Sequence, residues 1–339
     1  MALSALRQSG ETLKWMPVGV LQIIIDYSRS HILHRFGHGV CNVNRRGHWT
    51  KPDHKCVTAT NRSSSLILEE KTLLPQVGPL TEMPSSLNYF SAVSTGSDIL
   101  ITGGSSDGKS TNTVHRFNKE SNVWSELRPM GTQRCHHSSA CDIGNGLVYV
   151  TGGFSDTALR TCEVYNPVKN VWSKMQPMPC AVTFHSSVFY NGYLYVTGGL
   201  KDDRDSTSSC VIFYPKRNQW SRGSSLLRSR ACHASTVMGT DILIAGGYCS
   251  TSTQIGNVIE DTLHHYDTIT TKWSTMEDWQ LPRLLSQCHL LQVSLEGDVI
   301  VIGGHWKEDS TFCFRRKRGG HSWETITIGD KDTGGVWVG

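Results

Sequence analysis

The sequence predicts an all-β repeat fold, and three observations support this prediction. Double glycines recur along the chain, tryptophans recur in phase with them, and short apolar runs rich in Val, Ile and Tyr lie between these markers. Runs of this kind, bounded by Gly, Asn and Asp, are typical of β-strands. A sustained period of about fifty residues indicates that one supersecondary unit is repeated and stacked.

Each double glycine ends an apolar run. The first glycines of five such pairs lie 46 to 57 residues apart, at Gly103, Gly152, Gly198, Gly246 and Gly303. The tryptophans lie 48 to 53 residues apart, at Trp124, Trp172, Trp220, Trp273 and Trp323. Glycine allows turns in crowded places and an indole fills a large space. We therefore interpret both markers as parts of a scaffold.

This combination of a double glycine, an aromatic segment and a tryptophan resembles the kelch repeat, in which each unit is one four-stranded blade of a β-propeller. The resemblance covers residues 84–323, and Ser65–Glu69 is a predicted strand of an earlier unit. It implies a kelch-type β-propeller with six four-stranded blades, the first degenerate. Because an open ring would expose an apolar blade face, a closing strand is expected at Val336–Val338, with Ile326–Ile328 as the alternative.

Residues 1–62 do not follow the repeat and are predicted to form a short irregular or helical segment before the propeller at 63–339. The apolar positions 20, 21, 24 and 25 have helical spacing. Residues 17–30 resemble a short fragment of a BTB domain, the dimerisation and cullin-binding module that precedes the propeller in kelch-like proteins. Two explanations fit residues 1–62. They are either a truncated or mis-spliced BTB region, or a native tail with one amphipathic helix. The chain as given is not expected to recruit a cullin by itself.

Composition narrows the class of protein. The 339 residues are 38% hydrophobic and 18% charged, with a formal net charge of +4, which excludes a disordered chain and gives no case for nucleic acid or membrane as a partner. The longest aliphatic run, Val18–Ile25, is too short to span a bilayer. Eleven cysteines without a Cys-x-x-Cys pair favour reduced thiols and a cytoplasmic or nuclear protein.

The basic run Arg315–Arg318 fits a nuclear localisation or acidic-ligand patch, or a solvated turn.

No recognised catalytic motif is present in the sequence. There is no His-Glu-x-x-His, nucleophile elbow or phosphate-binding loop. His137, His185 and His233 recur every 48 residues, which indicates a position of the fold because a single catalytic site would not be repeated. His136 is not repeated in this way. We therefore expect no metal, no cofactor and no enzymatic activity.

The resemblance implies that a protein or peptide partner docks at one mouth of the propeller, on loops after the double glycines and on residues just before each innermost strand. The expected loop contacts are Asp107, Phe154, Lys201, Asp202, Arg204, Tyr248, Trp306 and Lys307. The expected contacts before innermost strands are Asn88, Tyr89, His136 and Phe184. The aromatic members are typical interface anchors, and the mixed charges favour neither an acidic nor a basic ligand.

The resulting functional hypothesis is a non-catalytic protein-binding propeller, the substrate-recognition part of a kelch-like ubiquitin-ligase adaptor. A cullin-type ligase is a further partner expected for a full-length form. Two alternatives stay open: an actin- or cytoskeleton-binding kelch protein, and a propeller enzyme of the oxidase or sugar isomerase type.

Overall fold

The structure is a computed structural model, and its backbone is described for residues 22–26, 32–36, 63–69, 72–75, 83–85, 87–95, 98–202, 204–251, 258–285, 287–292, 298–304, 311–317 and 319–328. These residues form β-strands almost throughout. Two short 3-10 turns, Pro215–Arg217 and Glu277–Trp279, are the helical elements within these ranges. The predicted all-β class is confirmed.

Five antiparallel four-stranded sheets follow one another along the chain, and we call them blades 1 to 5. Blade 1 contains β5 (Ser91–Ser94), β6 (Asp98–Thr102), β9 (Val114–Asn118) and β10 (Val123–Glu126), and blade 2 contains β11 (Ser138–Asp142), β12 (Leu147–Thr151), β13 (Cys162–Asn166) and β14 (Val171–Lys174). Blade 3 contains β15 (Ser186–Tyr190), β16 (Tyr193–Thr197), β17 (Cys210–Tyr214) and β18 (Gln219–Arg222). Blade 4 contains β19 (Ala234–Met238), β20 (Asp241–Ala245), β23 (His264–Asp267) and β24 (Lys272–Thr275), and blade 5 contains β25 (Gln287–Gln292), β26 (Val299–Gly304), β27 (Thr311–Arg316) and β28 (Glu324–Thr325).

Two small hairpins follow the second strands of blades 1 and 4. They are β7 (Ser105–Ser106) with β8 (Lys109–Ser110), and β21 (Tyr248–Cys249) with β22 (Val258–Ile259). Residues 252–257, between β21 and β22, lie outside the described part.

A five-stranded sheet stands at the place expected for the degenerate first blade. It contains β1 (Gln22–Asp26), β2 (Ile32–Phe36), β3 (Ser63–Glu69), β4 (Thr72–Pro75) and β29 (Thr327–Ile328). The predicted count of six four-stranded blades is wrong, because the four-stranded blades in the described ranges number five and this sheet gains a strand from near the carboxyl end. The predicted strand at 65–69 is confirmed within β3.

The helix expected near residues 20–25 is wrong at Gln22–Asp26, which is a strand paired with β2. The apolar spacing there fits a helix, but three consecutive isoleucines are β-branched and favour an extended chain. The domain boundary at residue 62 stays a prediction.

The first strands of the blades form an inner ring. Neighbouring first strands lie against one another from β5 through β11, β15 and β19 to β25, and β1 lies beside both β5 and β25. β29 pairs in parallel with β4, so among the described residues Thr327–Ile328, which lies within the alternative segment Ile326–Ile328, makes the closing contact. The closing strand expected at Val336–Val338 stays a prediction. Residues 336–338 lie outside the described part.

The hydrophobic core lies between adjacent blades. One cluster joins Tyr149 of blade 2 to Leu194 and Phe213 of blade 3, and the next joins Tyr195 of blade 3 to Ile244 of blade 4. Second strands such as β6 and β12 are buried on both faces, because successive residues point to opposite neighbours. Burial between sheets is therefore what holds the blades together, as the sequence predicted.

The repeated tryptophans stabilise this stack from the outermost strands. Trp172 packs on Tyr165 of its own blade with ring centroids 4.9 Å apart. Its Nε1–H donates to the backbone oxygen of Arg128, 2.8 Å away in the segment that leaves blade 1. The same bond runs from Trp220 to Gln176 and from Trp273 to Ser224. The scaffold role is confirmed, although Trp172 is half-buried and not fully enclosed.

The basic run Arg315–Arg318 is not an exposed patch over its first two residues. Arg315 forms an ion pair with Asp298 at 2.8 Å. Arg316 is 2% exposed, with its guanidinium carbon 4.7 Å from the centre of the Trp279 ring. Both arginines end β27 and serve packing, so a nuclear localisation or acidic-ligand patch built on the run is wrong at these positions. Arg318 lies outside the described residues.

Candidate protein-binding mouth

The candidate site is the end of the ring at which each second strand ends and each first strand begins, and we call this end the mouth. Short backbone bridges join the two segments in four blades: Asn88 to Ser105, Cys135 to Phe154, Thr183 to Leu200 and Ala231 to Tyr248. The two sets of residues predicted from the sequence are therefore brought together, blade by blade. The loops at this end are held by the sheets behind them, which is the usual arrangement of binding loops on a rigid scaffold.

A ladder of four residues runs around the mouth from blade to blade: Tyr89, His136, Phe184 and Cys232. Each has a positive φ, between 52° and 56°, which is uncommon for residues other than glycine. The amide of each later residue donates to the carbonyl of the one before it, over 3.0 Å at His136 and 2.9 Å at Phe184 and Cys232. These bonds hold the four side chains in register despite the left-handed backbone, whose strain is characteristic of functional positions.

The rings of Tyr89, His136 and Phe184 form a row of tilted contacts. The His136 ring lies between those of Tyr89 and Phe184, with centroids 4.1 Å and 4.0 Å away. Burial lowers the pKa of His136 to about 3, so the imidazole is neutral at physiological pH. The ladder therefore presents polarisable, uncharged rings with polar atoms at their edges, a surface suited to apolar or aromatic side chains of a partner.

Buried arginines fix the segments that lead into this ladder. The Nη1 group of Arg134 donates to the carbonyls of Gly152 at 2.6 Å and Thr161 at 2.9 Å, and its Nη2 group pairs with Glu163 at 2.8 Å. The Glu163 carboxylate also accepts from the amides of Gly131 and Thr132. The turn before His136 is thus locked to its own blade.

Arg230 has the same place before Cys232, donating to the carbonyl of Gly246 at 3.1 Å. Burial lowers its pKa to about 10, which still leaves it charged. Sequence reasoning missed both arginines as positioning residues. Their signal was present, because each precedes by three residues one of the histidines that recur every 48 positions.

Those recurring histidines are structural, as predicted. His137 Nε2 lies 2.9 Å from the hydroxyl of Thr102, which belongs to the preceding blade. His185 pairs in the same way with Thr151 and His233 with Thr197, each at 2.9 Å. All three rings are at least 94% buried, so they link blades and are not open to a ligand.

The loops of blades 1 and 2 carry three of the predicted contacts. Asp107 is exposed at the tip of the β7–β8 hairpin. Phe154 is 39% exposed, while its backbone is held by Cys135 and by the Ser110 hydroxyl. Asn88 is part of the bridge to Ser105 and is only partly exposed. Phe154 therefore offers the largest accessible apolar surface among these three residues.

The blade 3 loop supplies charge to the mouth. Lys201, Asp202 and Arg204 are all exposed. The Asp202 carboxylate accepts a 2.8 Å bond from the amide of Ala158 in the blade 2 loop, which joins the two loops. Asp202 therefore has a structural contact, and Lys201 and Arg204 are exposed beside it at the mouth.

Tyr248 does not match the expectation of an exposed anchor. It is 9% exposed and packs with Leu200 and Ala231 beneath Phe184 and Cys232. The aromatic side chain follows a double glycine, as the sequence showed, but the β21–β22 hairpin turns it inward. Trp306 and Lys307 lie outside the described residues.

The same described ranges hold neither a metal-binding cluster nor a membrane-spanning helix. They contain no group of three or more His, Cys, Asp or Glu side chains placed to hold a metal ion. No helix among them has the length and apolar character needed to cross a bilayer. The nine cysteines they include form no disulfide with one another.

Two family models match the chain. The KLHDC2/KLHL20/DRC7 Kelch-repeats domain matches residues 58–199, and the Kelch motif matches residues 181–227 and 229–278. Together they cover blades 1 to 4, including the three bridging histidines, and they end before blade 5. The chain is a kelch-repeat protein whose repeats form a β-propeller.

Similarity to individual proteins is limited to a short segment or to the fold. Kelch-like protein 21 of rat and of human is 40% identical to this chain over 70 residues, which is 20% of this chain and 12% of the relative. The solved structure of YjhT superposes with a TM-score of 0.66 at 13% identity, covering 89% of this chain and 96% of that one. The first likeness covers a small part of a longer protein, and the second concerns the fold alone.

Proposed function

We propose that this chain is a non-catalytic protein-binding propeller that holds a partner polypeptide at the mouth. The observation that carries the proposal is the ladder of Tyr89, His136, Phe184 and Cys232, held by backbone bonds from blade to blade and bordered by the exposed Phe154. A neutral aromatic surface with charged residues around it is typical of protein interfaces.

The role within this class is substrate recognition for a ubiquitin ligase of the kelch-like adaptor type. The kelch repeats support this role, and so does the 40% identity to Kelch-like protein 21 over 70 residues. Under this proposal the propeller selects the protein to be modified.

A pair of variants tests the site. Phe154→Ser with Lys201→Ala removes one apolar and one charged side chain from the mouth, and both are exposed. Val123→Ser with Lys174→Ala is the matched control, because both of its residues are exposed on outermost strands. Proteins retained from cell extract by the immobilised full chain are quantified by mass spectrometry. The mouth pair should lose the retained partner at least tenfold, and the control pair should retain it.

A second readout tests the ligase role. A partner that depends on the mouth should carry less ubiquitin in cells that produce the mouth pair than in cells that produce the unchanged chain. Unchanged ubiquitin on that partner would refute the adaptor role while leaving the binding site intact. Co-sedimentation of the purified chain with filamentous actin, unaffected by the mouth pair, would favour the cytoskeletal alternative.

A further inference from the structure

The end of the ring opposite the mouth carries an arc of exposed basic residues. Because the strands of a blade alternate in direction, the turn between the third and fourth strands of each blade lies at this opposite end. These turns contain Lys169 in blade 2, Lys216 and Arg217 in blade 3 and Lys317 in blade 5, and Lys272 directly follows the turn in blade 4 as the first residue of β24. Equivalent turns of successive blades lie at the same height around the ring, so these cations follow its outer edge.

These five cations are not neutralised within the described part of the chain. All are exposed, and none has an ion pair with a described acidic side chain. Arg315 and Arg230, in contrast, do pair with carboxylates. The cations of the arc are therefore exposed and available to an acidic partner.

Two large aliphatic side chains accompany the arc. Val168 is 90% exposed beside Lys169, and Ile269 is 79% exposed in the turn that precedes Lys272. Their turns are held rigid by side-chain caps: the Asn166 oxygen accepts from the Lys169 amide, and the Asp267 carboxylate accepts from the amides of Ile269 and Thr270. Apolar tips on well-fixed turns lose little conformational entropy when they are covered.

Two acidic residues lie in the outer turns of this end: Glu120 in blade 1, which is outside the arc, and Asp267, which caps the blade 4 turn. The other acidic residues considered lie nearer the inner ring. Asp98, Asp142 and Asp241 stand at the turns between first and second strands, near the inner ring. The Asp142 carboxylate accepts from the Gly144 amide, and that of Asp241 lies 3.3 Å from His265. A flat anionic surface would meet both rings of charge at once. A narrow chain along the outer edge would meet cations and the two aliphatic tips.

We infer that this basic arc, comprising Lys169, Lys216, Arg217, Lys272 and Lys317, binds an acidic polypeptide segment with interspersed large apolar residues. The inference is independent of the mouth and of the ligand bound there. Long-range attraction between the arc and such a segment would raise the association rate, and Val168 and Ile269 would add contact area.

The test uses the full chain and a fluorescein-labelled synthetic peptide of sixteen residues in which Glu and Leu alternate in pairs, with affinity measured by fluorescence anisotropy. Lys169→Glu with Lys216→Glu should weaken binding at least tenfold. Lys174→Glu with Arg222→Glu is the matched control, because it makes the same change of net charge on the same two blades, at the far ends of strands β14 and β18. The control should bind within twofold of the unchanged chain.

Further measurements separate binding at the arc from binding driven by net charge, by the mouth or by a lipid surface. Val168→Ser should weaken binding severalfold, and raising the salt concentration should weaken it further. The mouth pair Phe154→Ser with Lys201→Ala should leave it unchanged. Equal losses in the charge-reversal pair and its control would overturn the inference, since net charge alone would then account for binding. Binding to vesicles of three parts phosphatidylcholine and one part phosphatidylserine, without binding to the peptide, would overturn it in favour of a lipid surface.

Discussion

At the scale of single residues, a bond between a histidine and a threonine joins neighbouring blades. Where one of these two residue types is replaced, the other is replaced as well. Three histidines bond threonines of the preceding blade, but at the contact between blades 4 and 5 the threonine position is Ala245 and the histidine position is Cys288. There the Cys288 thiol donates to the Ala245 carbonyl at 3.0 Å. A buried ring nitrogen without its hydroxyl partner would be costly, which accounts for the joint replacement.

These histidines predict acid sensitivity. Burial lowers the pKa of His185 to about 4 and those of His137 and His233 well below 6.5. Between these pKa values and pH 6.5, the unfolded chain therefore binds more protons than the folded chain. The free energy of unfolding has its full value above about pH 6.5 and decreases as the pH is lowered. At pH 5, each of these histidines should lower the free energy of unfolding by roughly 2 kcal/mol relative to its value at pH 7.5. Urea unfolding at pH 7.5 and pH 5.0 measures the difference.

A variant assigns this effect to its residue. His185→Gln keeps a polar group near Thr151 but does not titrate, so the loss of stability between pH 7.5 and pH 5.0 should shrink by about one histidine's share. An unchanged loss would mean that His185 does not contribute to the acid sensitivity.

A glycine comparison tests the close approach of blades. A Cβ on Gly198, where φ is +60°, would lie 2.4 Å from the carbonyl oxygen of Arg230 in the next blade. Gly198→Ala should destabilise the fold by about 2 to 4 kcal/mol, from backbone strain and overpacking together. A Cβ on Gly192, in the same blade at φ +82°, would meet nothing within 4 Å, so Gly192→Ala should cost about 1 kcal/mol. Equal costs in thermal or urea unfolding would contradict the inter-blade contact.

At the scale of elements, each turn before the mouth is attached to a blade by side-chain bonds to backbone groups or by apolar packing. Arg134 contacts the end of β12 and the start of β13 and so places His136. The corresponding position in blade 3 is Val182, which is buried with Met178 and Tyr149 in an apolar cluster. The same turn is therefore built by an ionic network in one blade and by apolar packing in another, and the backbone of the ladder is the same in both.

Removing the arginine should expose this dependence. Arg134→Met leaves the Glu163 carboxylate buried with only its two amide donors, so we expect a loss of about 3 kcal/mol in the free energy of unfolding. Glu163→Gln keeps an acceptor for those amides and should cost less. Arg128→Met, a change at an exposed side chain, is the control and should stay within about 0.5 kcal/mol. A loss equal to that of the control would mean that the network does not hold the turn.

At the scale of the whole molecule, features that recur in every repeat could be predicted from the sequence, whereas features outside the repeat pattern could not. Glycines, tryptophans and histidines recur with one period, so the propeller, its strands and the position of the mouth could be predicted. The inward turn of Tyr248 depends on the β21–β22 hairpin, and in the described part such hairpins follow the second strands of blades 1 and 4. The first and last strands of the five-stranded sheet come from segments without the repeat. Arg315 and Arg316 look like a charged run in sequence and become packing residues because β27 ends there.

Site-specific photo-crosslinking tests whether the mouth binds a partner polypeptide. A benzophenone side chain replaces Phe154 at the mouth or, in a separate sample, Ser173, which is exposed on the outermost strand of the same blade. We expect illumination in cell extract to attach a discrete protein at position 154 and not at position 173. Attachment of the same proteins at both positions, or of none at position 154, would contradict a partner-binding mouth.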